Sequence, residues 1–145
     1  PLLNWEMPIN PLTSQIMTGA PFVARAYSGD VRHMADLFQQ GIRHKGFSII
    51  DVFSPCVTFN RTNTNDFFKE RVKKLEDENH DPSDWKTACE KAMLFGDTIY
   101  TALFFLGVRP SLADVEPYLS KDTHLTTPPL VLVKDEAQKI IDRKM

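Results

Sequence analysis

A chain of 145 residues and 16.6 kDa is long enough for one domain with a core of its own. With 42% hydrophobic and 25% charged residues and a net charge of −2, the composition excludes disorder, collagen and coiled coil, and it offers no basic field to a nucleic-acid backbone. No apolar run approaches the ~20 residues of a membrane span, no basic segment leads into an apolar one at the start, and two cysteines are too few for a disulfide scaffold. The expectation is a cytoplasmic protein with reduced thiols and with neither nucleic acid nor membrane as partner.

Asn10-Pro11 reads as an N-cap followed by proline at the first helical position, and Gly19 as a stop, which predicts a helix over Pro11–Thr18 with Leu12 and Ile16 on its core side. Phe22–Tyr27 is suited to a strand, and Ser28-Gly29-Asp30 closes it and caps the next element. Val31, Met34, Leu37, Phe38 and Ile42 then fall at helical spacing. Arg43, His44 and Lys45 complement the negative end of that helix, and Gly46 stops it. Phe47–Phe53 is a second strand. Strand, helix and strand form a βαβ unit with parallel strands, which predicts an α/β sheet. In it Phe22, Val23, Phe47, Ile49, Ile50 and Val52 lie in adjacent strands covered by Met34, Leu37, Phe38 and Ile42.

The polar stretch 54–65 reads as a loop leaving the carboxyl end of the second strand, where open parallel sheets gather their ligands. Phe68, Val72 and Leu75 predict one further helix, followed by an acidic, turn-rich stretch over Asp77–Asp84. A helix over Asp84–Phe95 carries Trp85, Ala88, Cys89, Ala92 and Phe95 on one stripe and stops at Gly96. Thr98–Leu106 is a third strand candidate, Ser111–Leu119 a short helix, and Lys134–Arg143 an amphipathic segment. Three strands are few for a parallel sheet, which needs cover on both faces. Either helices cover a small sheet alone or further strands lie in sequence not present here.

The chemical motifs are sparse. There is no G-x-G-x-x-G, P-loop, C-x-x-C or G-x-S-x-G. His33, His44, His80 and His124 lack metal-ligand spacing. Gly29-Asp30 with Asn60 imitates part of the Gly-Asp-Gly…Asn signature for Mg²⁺ and thiamine diphosphate, but position 31 is Val and Asp30 is accounted for as a helix cap. Asn60-Arg61-Thr62 fits a glycosylation sequon that means little without a secretory signal. Cys89 lies on an apolar helical stripe, where a small hydrophobe suffices. Cys56 follows Pro55 in the polar loop; spacing alone gives a lone cysteine no site.

Asn10-Pro11, Phe22-Val23-Ala24-Arg25, Gly29-Asp30, His44-Lys45-Gly46-Phe47, the run Asp51 through Asn60, and Ala92 to Gly96-Asp97 occur in an order that closely resembles the β subunit of the 2-oxoacid:ferredoxin oxidoreductases, over Ile9 to Pro110. The resemblance implies part of a thiamine-diphosphate-binding, doubly wound, mainly parallel α/β sheet with helices on both faces. It implies a single unit over residues 1–145, with a βαβ core at about 20–55 and a helical and strand extension at about 64–145.

The enzymes it resembles oxidatively decarboxylate a 2-oxoacid with coenzyme A, using thiamine diphosphate and Mg²⁺, and pass electrons through [4Fe-4S] clusters to ferredoxin. A proximal cluster takes a Cys-x-x-Cys pair, a third Cys, and a fourth in the phrase matching Cys56. The first three, and the Gly-Asp-Gly…Asn motif, belong to the family's amino-terminal half. The resemblance therefore implies the carboxyl-terminal half of the subunit, a fragment or a split gene product, unable alone to hold cofactor or cluster. Its metal ligand would be Cys56, and no catalytic residue is assigned. Its partners would be the missing amino-terminal half, an α subunit, ferredoxin, and coenzyme A and a 2-oxoacid as substrates. The alternative is a non-catalytic α/β interaction or assembly module.

Overall fold

A computed structural model describes residues 8–56, 58–115, 138–139 and 141–143. The chain divides into two compact units, Pro1–Arg109 and Pro110–Met145. In chain order the first holds α1 (Pro11–Thr18), β1 (Phe22–Tyr27), α2 (Val31–Arg43), β2 (Ser48–Phe53), α3 (Asn65–Arg71), β3 (Val72–Lys74), a 3-10 turn (Leu75–Glu78), α4 (Trp85–Met93) and β4 (Ile99–Leu106). The second holds α5 (Leu112–Val115) and, among its described residues, a helical piece at 138–139 and 141–143. The remainder of the helix expected to reach Leu119, and most of the segment expected from Lys134, lie outside the described residues.

Local chemistry sets the boundaries. The Asn10 side chain accepts from the amides of Leu12 and Thr13, Pro11 occupies the first helical position, and Gly19 ends α1 at φ +86°, a left-handed conformation that favours glycine. Asp30 caps α2 by accepting from the His33 amide at 3.1 Å. The helix ends at Arg43, with extended His44 as its cap, before the expected stop at Gly46.

The sheet has the order β2-β1-β4-β3. β1 and β2 are parallel in the register Phe22↔Ser48 to Tyr27↔Phe53, as the βαβ reading requires. β3 runs parallel to β4, whereas β4 lies antiparallel to β1 with a register shift between Val23 and Ala24. Helices cover both faces. Leu12 and Ile16 of α1 and Ala88 and Ala92 of α4 pack with Val23, Ala102 and Phe104 on one face. Leu37 and Met34 of α2 pack with Phe22, Ala24, Ala26, Ile50, Val52 and Leu103 on the other. Each fully buried side chain of Phe22 or Phe104 size contributes ~1.5–3 kcal/mol. All six residues of β1 are buried, as befits a strand enclosed on both faces.

Four local expectations are corrected. Phe68, Val72 and Leu75 do not share one helix: the chain leaves α3 at Val72, whose β-branched side chain suits the pairing Val72↔Ile99 that opens β3. Phe38 and Ile42 do not cover the sheet; they are 43% and 79% exposed, because the narrower Met34–Leu37–Gly41 stripe fills the contact. Trp85 and Phe95 are about half exposed, and α4 stops at Met93, so only Ala88 and Ala92, with Cys89 beside them, reach its core. Phe47 stands exposed just before β2.

Candidate functional site

The loop after β2 carries Cys56. Phe53 ends the strand, Ser54-Pro55 leads out, and the Cys56 thiol is free and exposed. The Cys56 carbonyl accepts from the Asn60 amide at 2.9 Å, closing a turn at the start of the loop. Asn60 does not face a ligand. Its side-chain oxygen accepts from the Thr62 amide and hydroxyl and from the Asn63 amide, at 3.0, 3.1 and 3.0 Å, which folds the loop back on itself. Thr64 then caps α3 through the Phe67 amide.

An aromatic floor lies at the carboxyl ends of β1 and β2. Tyr27, Phe68 and Ile99 are buried there, with Phe53, Phe67 and Val72 against them. The Phe53 ring lies 5.0 Å from Phe68 and 5.9 Å from Phe95. The Tyr27 hydroxyl donates to the Asn65 carbonyl at 3.1 Å, tying β1 to the start of α3.

Within the sheet beneath this floor sits a charge pair that sequence reasoning missed. Arg25, 3% exposed, donates from Nε to Asp51 Oδ2 at 2.9 Å, and its guanidinium carbon stands 4.7 Å from the Phe53 ring centre. Burial pulls the Arg25 guanidinium below its usual pKa, and the hydrogen bond to Asp51 opposes that shift. The signal was present in two strands that each placed one charge among apolar residues, but their register was needed to bring the charges together.

Asp30 has a structural assignment. Beyond its helix cap, its Oδ2 accepts from Lys74 Nζ at 2.8 Å, and the Lys74 hydrogen bond, followed by the His33 amide, holds its carboxyl below the ordinary carboxylate range. Both oxygens are thus engaged, and Asn60 is committed to its own turn. A cavity of about 750 Å³ opens beside Asp30, lined by Gly29, Arg32, Lys69, Lys73, Asp77 and Glu78 among others; Cys56 is not in its wall. Its charges are nearly balanced.

Cys56 offers one exposed thiol, whereas a [4Fe-4S] cluster takes four thiolates. Among the described residues no group of three or more His, Cys, Asp or Glu is placed to hold a metal ion. The second cysteine of the chain, Cys89, is half-buried on α4 against the α1–α4 core, where burial pushes its thiol pKa up. No helix among the described residues is long and apolar enough to cross a membrane.

Residues 56–121 match the family model described as pyruvate ferredoxin oxidoreductase β subunit, C terminal. The chain is 33% identical to the β subunit of 2-oxoacid:ferredoxin oxidoreductase 1 of Aeropyrum pernix, a match covering 99% of this chain and 52% of that one. It is 32% identical to the 2-oxoacid:ferredoxin oxidoreductase β subunit of Saccharolobus solfataricus, covering 89% and 46%. Its fold is similar to a solved chain of the 2-oxoglutarate:ferredoxin oxidoreductase from Magnetococcus marinus with 2-oxoglutarate, coenzyme A and succinyl-CoA bound. There the TM-score is 0.72 at 31% identity, covering 100% of this chain and 47% of that one. The chain thus spans about half the length of the relatives it matches.

Proposed function

Because the chain belongs to the β-subunit family of the 2-oxoacid:ferredoxin oxidoreductases, as a match to its carboxyl-terminal half, we propose that it works within an enzyme that oxidatively decarboxylates a 2-oxoacid with coenzyme A and reduces ferredoxin. In this reading Cys56 supplies one thiolate of a proximal [4Fe-4S] cluster, and the β1–α2–β2 unit is part of the thiamine-diphosphate domain. The α subunit and the remainder of a β subunit complete the assembly, in the cytoplasm.

The observation that carries the reading is the placement of Cys56: a free, exposed thiol at the carboxyl end of a parallel strand, inside the segment matched by the family model. Its loop is preorganised. Pro55 restricts the approach, and the Asn60-to-Cys56 hydrogen bond turns the chain directly after it. When bound, the cluster would carry single electrons toward ferredoxin. In this reading the chain's own contribution is to hold one sulfur in the loop that leaves Phe53 at the end of β2. The name of the Magnetococcus marinus structure supports 2-oxoglutarate and coenzyme A as the substrate classes.

A second reading, an assembly module without chemistry, is favoured by one fact: among the described residues, no other metal-ligand group accompanies Cys56. The test is Cys56→Ala in the complete assembly. The oxidoreductase reading expects iron content to drop, the cluster's paramagnetic signal to be lost or altered, and ferredoxin reduction to fall more than 2-oxoacid binding. Unchanged iron and unchanged ferredoxin reduction would refute the ligand role and leave the module reading.

A further inference from the structure

Side chains of β1 grip the loop that carries Cys56 at both of its ends. At the start stands Phe53, whose carbonyl accepts from the Ser28 amide at 2.9 Å and whose ring faces the Arg25 guanidinium at 4.7 Å. Arg25 Nε meanwhile donates to Asp51, two residues earlier on the same strand. At the far end the Tyr27 hydroxyl donates to the Asn65 carbonyl at 3.1 Å and lies 3.0 Å from the Asn65 side-chain oxygen. Gly29 leaves room for this contact, since a Cβ there would overlap the Tyr27 ring. Arg25 and Tyr27 are both buried.

Neither polar group is needed to fill space. A phenylalanine would stack on Phe68 as the Tyr27 ring does, and apolar residues of similar volume often replace a buried ion pair without loss of stability. What the polar groups add is alignment. A slip of one residue along β2 would carry the residues that follow it by about 3.3 Å and turn each side chain to the other face. A metal ligand tolerates only about 0.2 Å of error in its bond length. Pairing Arg25 with Asp51 fixes which residue of β2 lies opposite β1, and Tyr27 fixes where the loop returns to the sheet. Between these two points, Asn60 closes its turn on the Cys56 carbonyl.

We infer that Arg25 and Tyr27 are positioning residues for the Cys56 thiol, setting where the sulfur stands by gripping its loop at Phe53 and at Asn65. The inference rests on the ligand role proposed above for Cys56. A purely structural role would spread the effect of these two side chains over the whole sheet. A positioning role confines it to the loop and to what the sulfur binds.

Native-state hydrogen exchange on the full chain separates the two roles. It compares Tyr27→Phe, which keeps the ring, the double variant Arg25→Met/Asp51→Leu, which keeps the volume, and Leu37→Ala, which removes a buried side chain from the α2 face of the sheet. In the first two, the amides of Asn60, Thr62 and Asn63 are expected to exchange at least tenfold faster while those of the β1–β4 pairing stay within twofold. In Leu37→Ala the pattern should invert. In the complete assembly, Tyr27→Phe and the double variant should each lower iron content at least twofold or shift the cluster's paramagnetic signal, and Leu37→Ala should do neither. Unchanged loop amides, loop and sheet amides accelerated together, or a loosened loop with unaltered iron and signal would each overturn the proposal. Cys56→Ala in the same assembly keeps the two claims apart. Iron lost there, but retained with an unaltered signal in the β1 variants, refutes the positioning role alone. Iron unchanged in Cys56→Ala refutes the ligand role, and with it the inference, whatever the loop amides do.

Discussion

Arg25 on β1 and Asp51 on β2 are direct register partners, and the salt bridge between them at 2.9 Å spans the parallel pair inside the sheet. The charges therefore do what hydrophobic neighbours do elsewhere in these strands, with an added demand for alignment. A slip of one residue would leave a guanidinium buried without its carboxylate and turn every apolar side chain of β2 to the wrong face.

Removing one partner should accordingly cost more than removing both. Asp51→Ala is expected to destabilise the fold by about 3 kcal/mol, toward the low end for a buried pair because Asp51 keeps some solvent contact. Arg25→Met combined with Asp51→Leu should recover most of that loss. Urea denaturation of the two variants measures the difference; a double variant no more stable than Asp51→Ala would contradict the expected cost of the stranded Arg25 charge.

Asp30 gives the stability profile a dependence at both ends of the pH scale. Its folded pKa lies below the unfolded value, chiefly through the Lys74 hydrogen bond, so its contribution is complete above about pH 4 and fades as pH falls through the folded value. Lys74 is shifted the other way by the same contact. Its contribution is complete below about pH 10 and fades as pH rises through its folded pKa. Asp30→Asn, which keeps a capping side chain, should flatten the profile in both windows and cost most in the neutral region, where the contact is complete. Denaturant midpoints across pH that run parallel to those of the unsubstituted protein would contradict this.

The two thiols should separate in a labelling time course. Cys56 is exposed, whereas Cys89 is half-buried and its thiol is raised by burial, so a disulfide reagent should modify Cys56 first and Cys89 on the order of tenfold or more slowly. Mass spectrometry of the labelled peptides reads the order directly. Faster labelling of Cys89 would reverse the assignment of structural and exposed thiol.

The parts of this fold legible in the sequence are those whose signals are local. Asn10-Pro11, Gly19 and Asp30 announce helix ends because their side chains or backbone freedom act within a few residues. The parallel β1–β2 pair is implied by a strand, a helix and a strand in succession. β3 was not legible. Val72-Lys73-Lys74 is three residues long, carries two lysines, and is a strand only because Ile99, Tyr100 and Thr101 come alongside. Periodicity found Phe38 and Ile42 apolar but had no means of saying that the sheet leaves them uncovered. The position of Cys56 was readable, because a Pro-led polar loop after an apolar strand falls at the strand's carboxyl end.

The sheet order also dictates when the fold can form. β4, the last to be synthesised of the strands among the described residues, lies between β1 and β3 and provides the only described strand pairing that joins them. Until Leu106 has left the ribosome, the βαβ unit and the β3 segment have no common strand, and Val23 and Ala102 lack each other as cover. Contacts of such long sequence separation slow folding and prolong the exposure of open strand edges. The nascent chain thus carries two unjoined pieces for most of its synthesis, and completion of the sheet waits on the arrival of a single late strand.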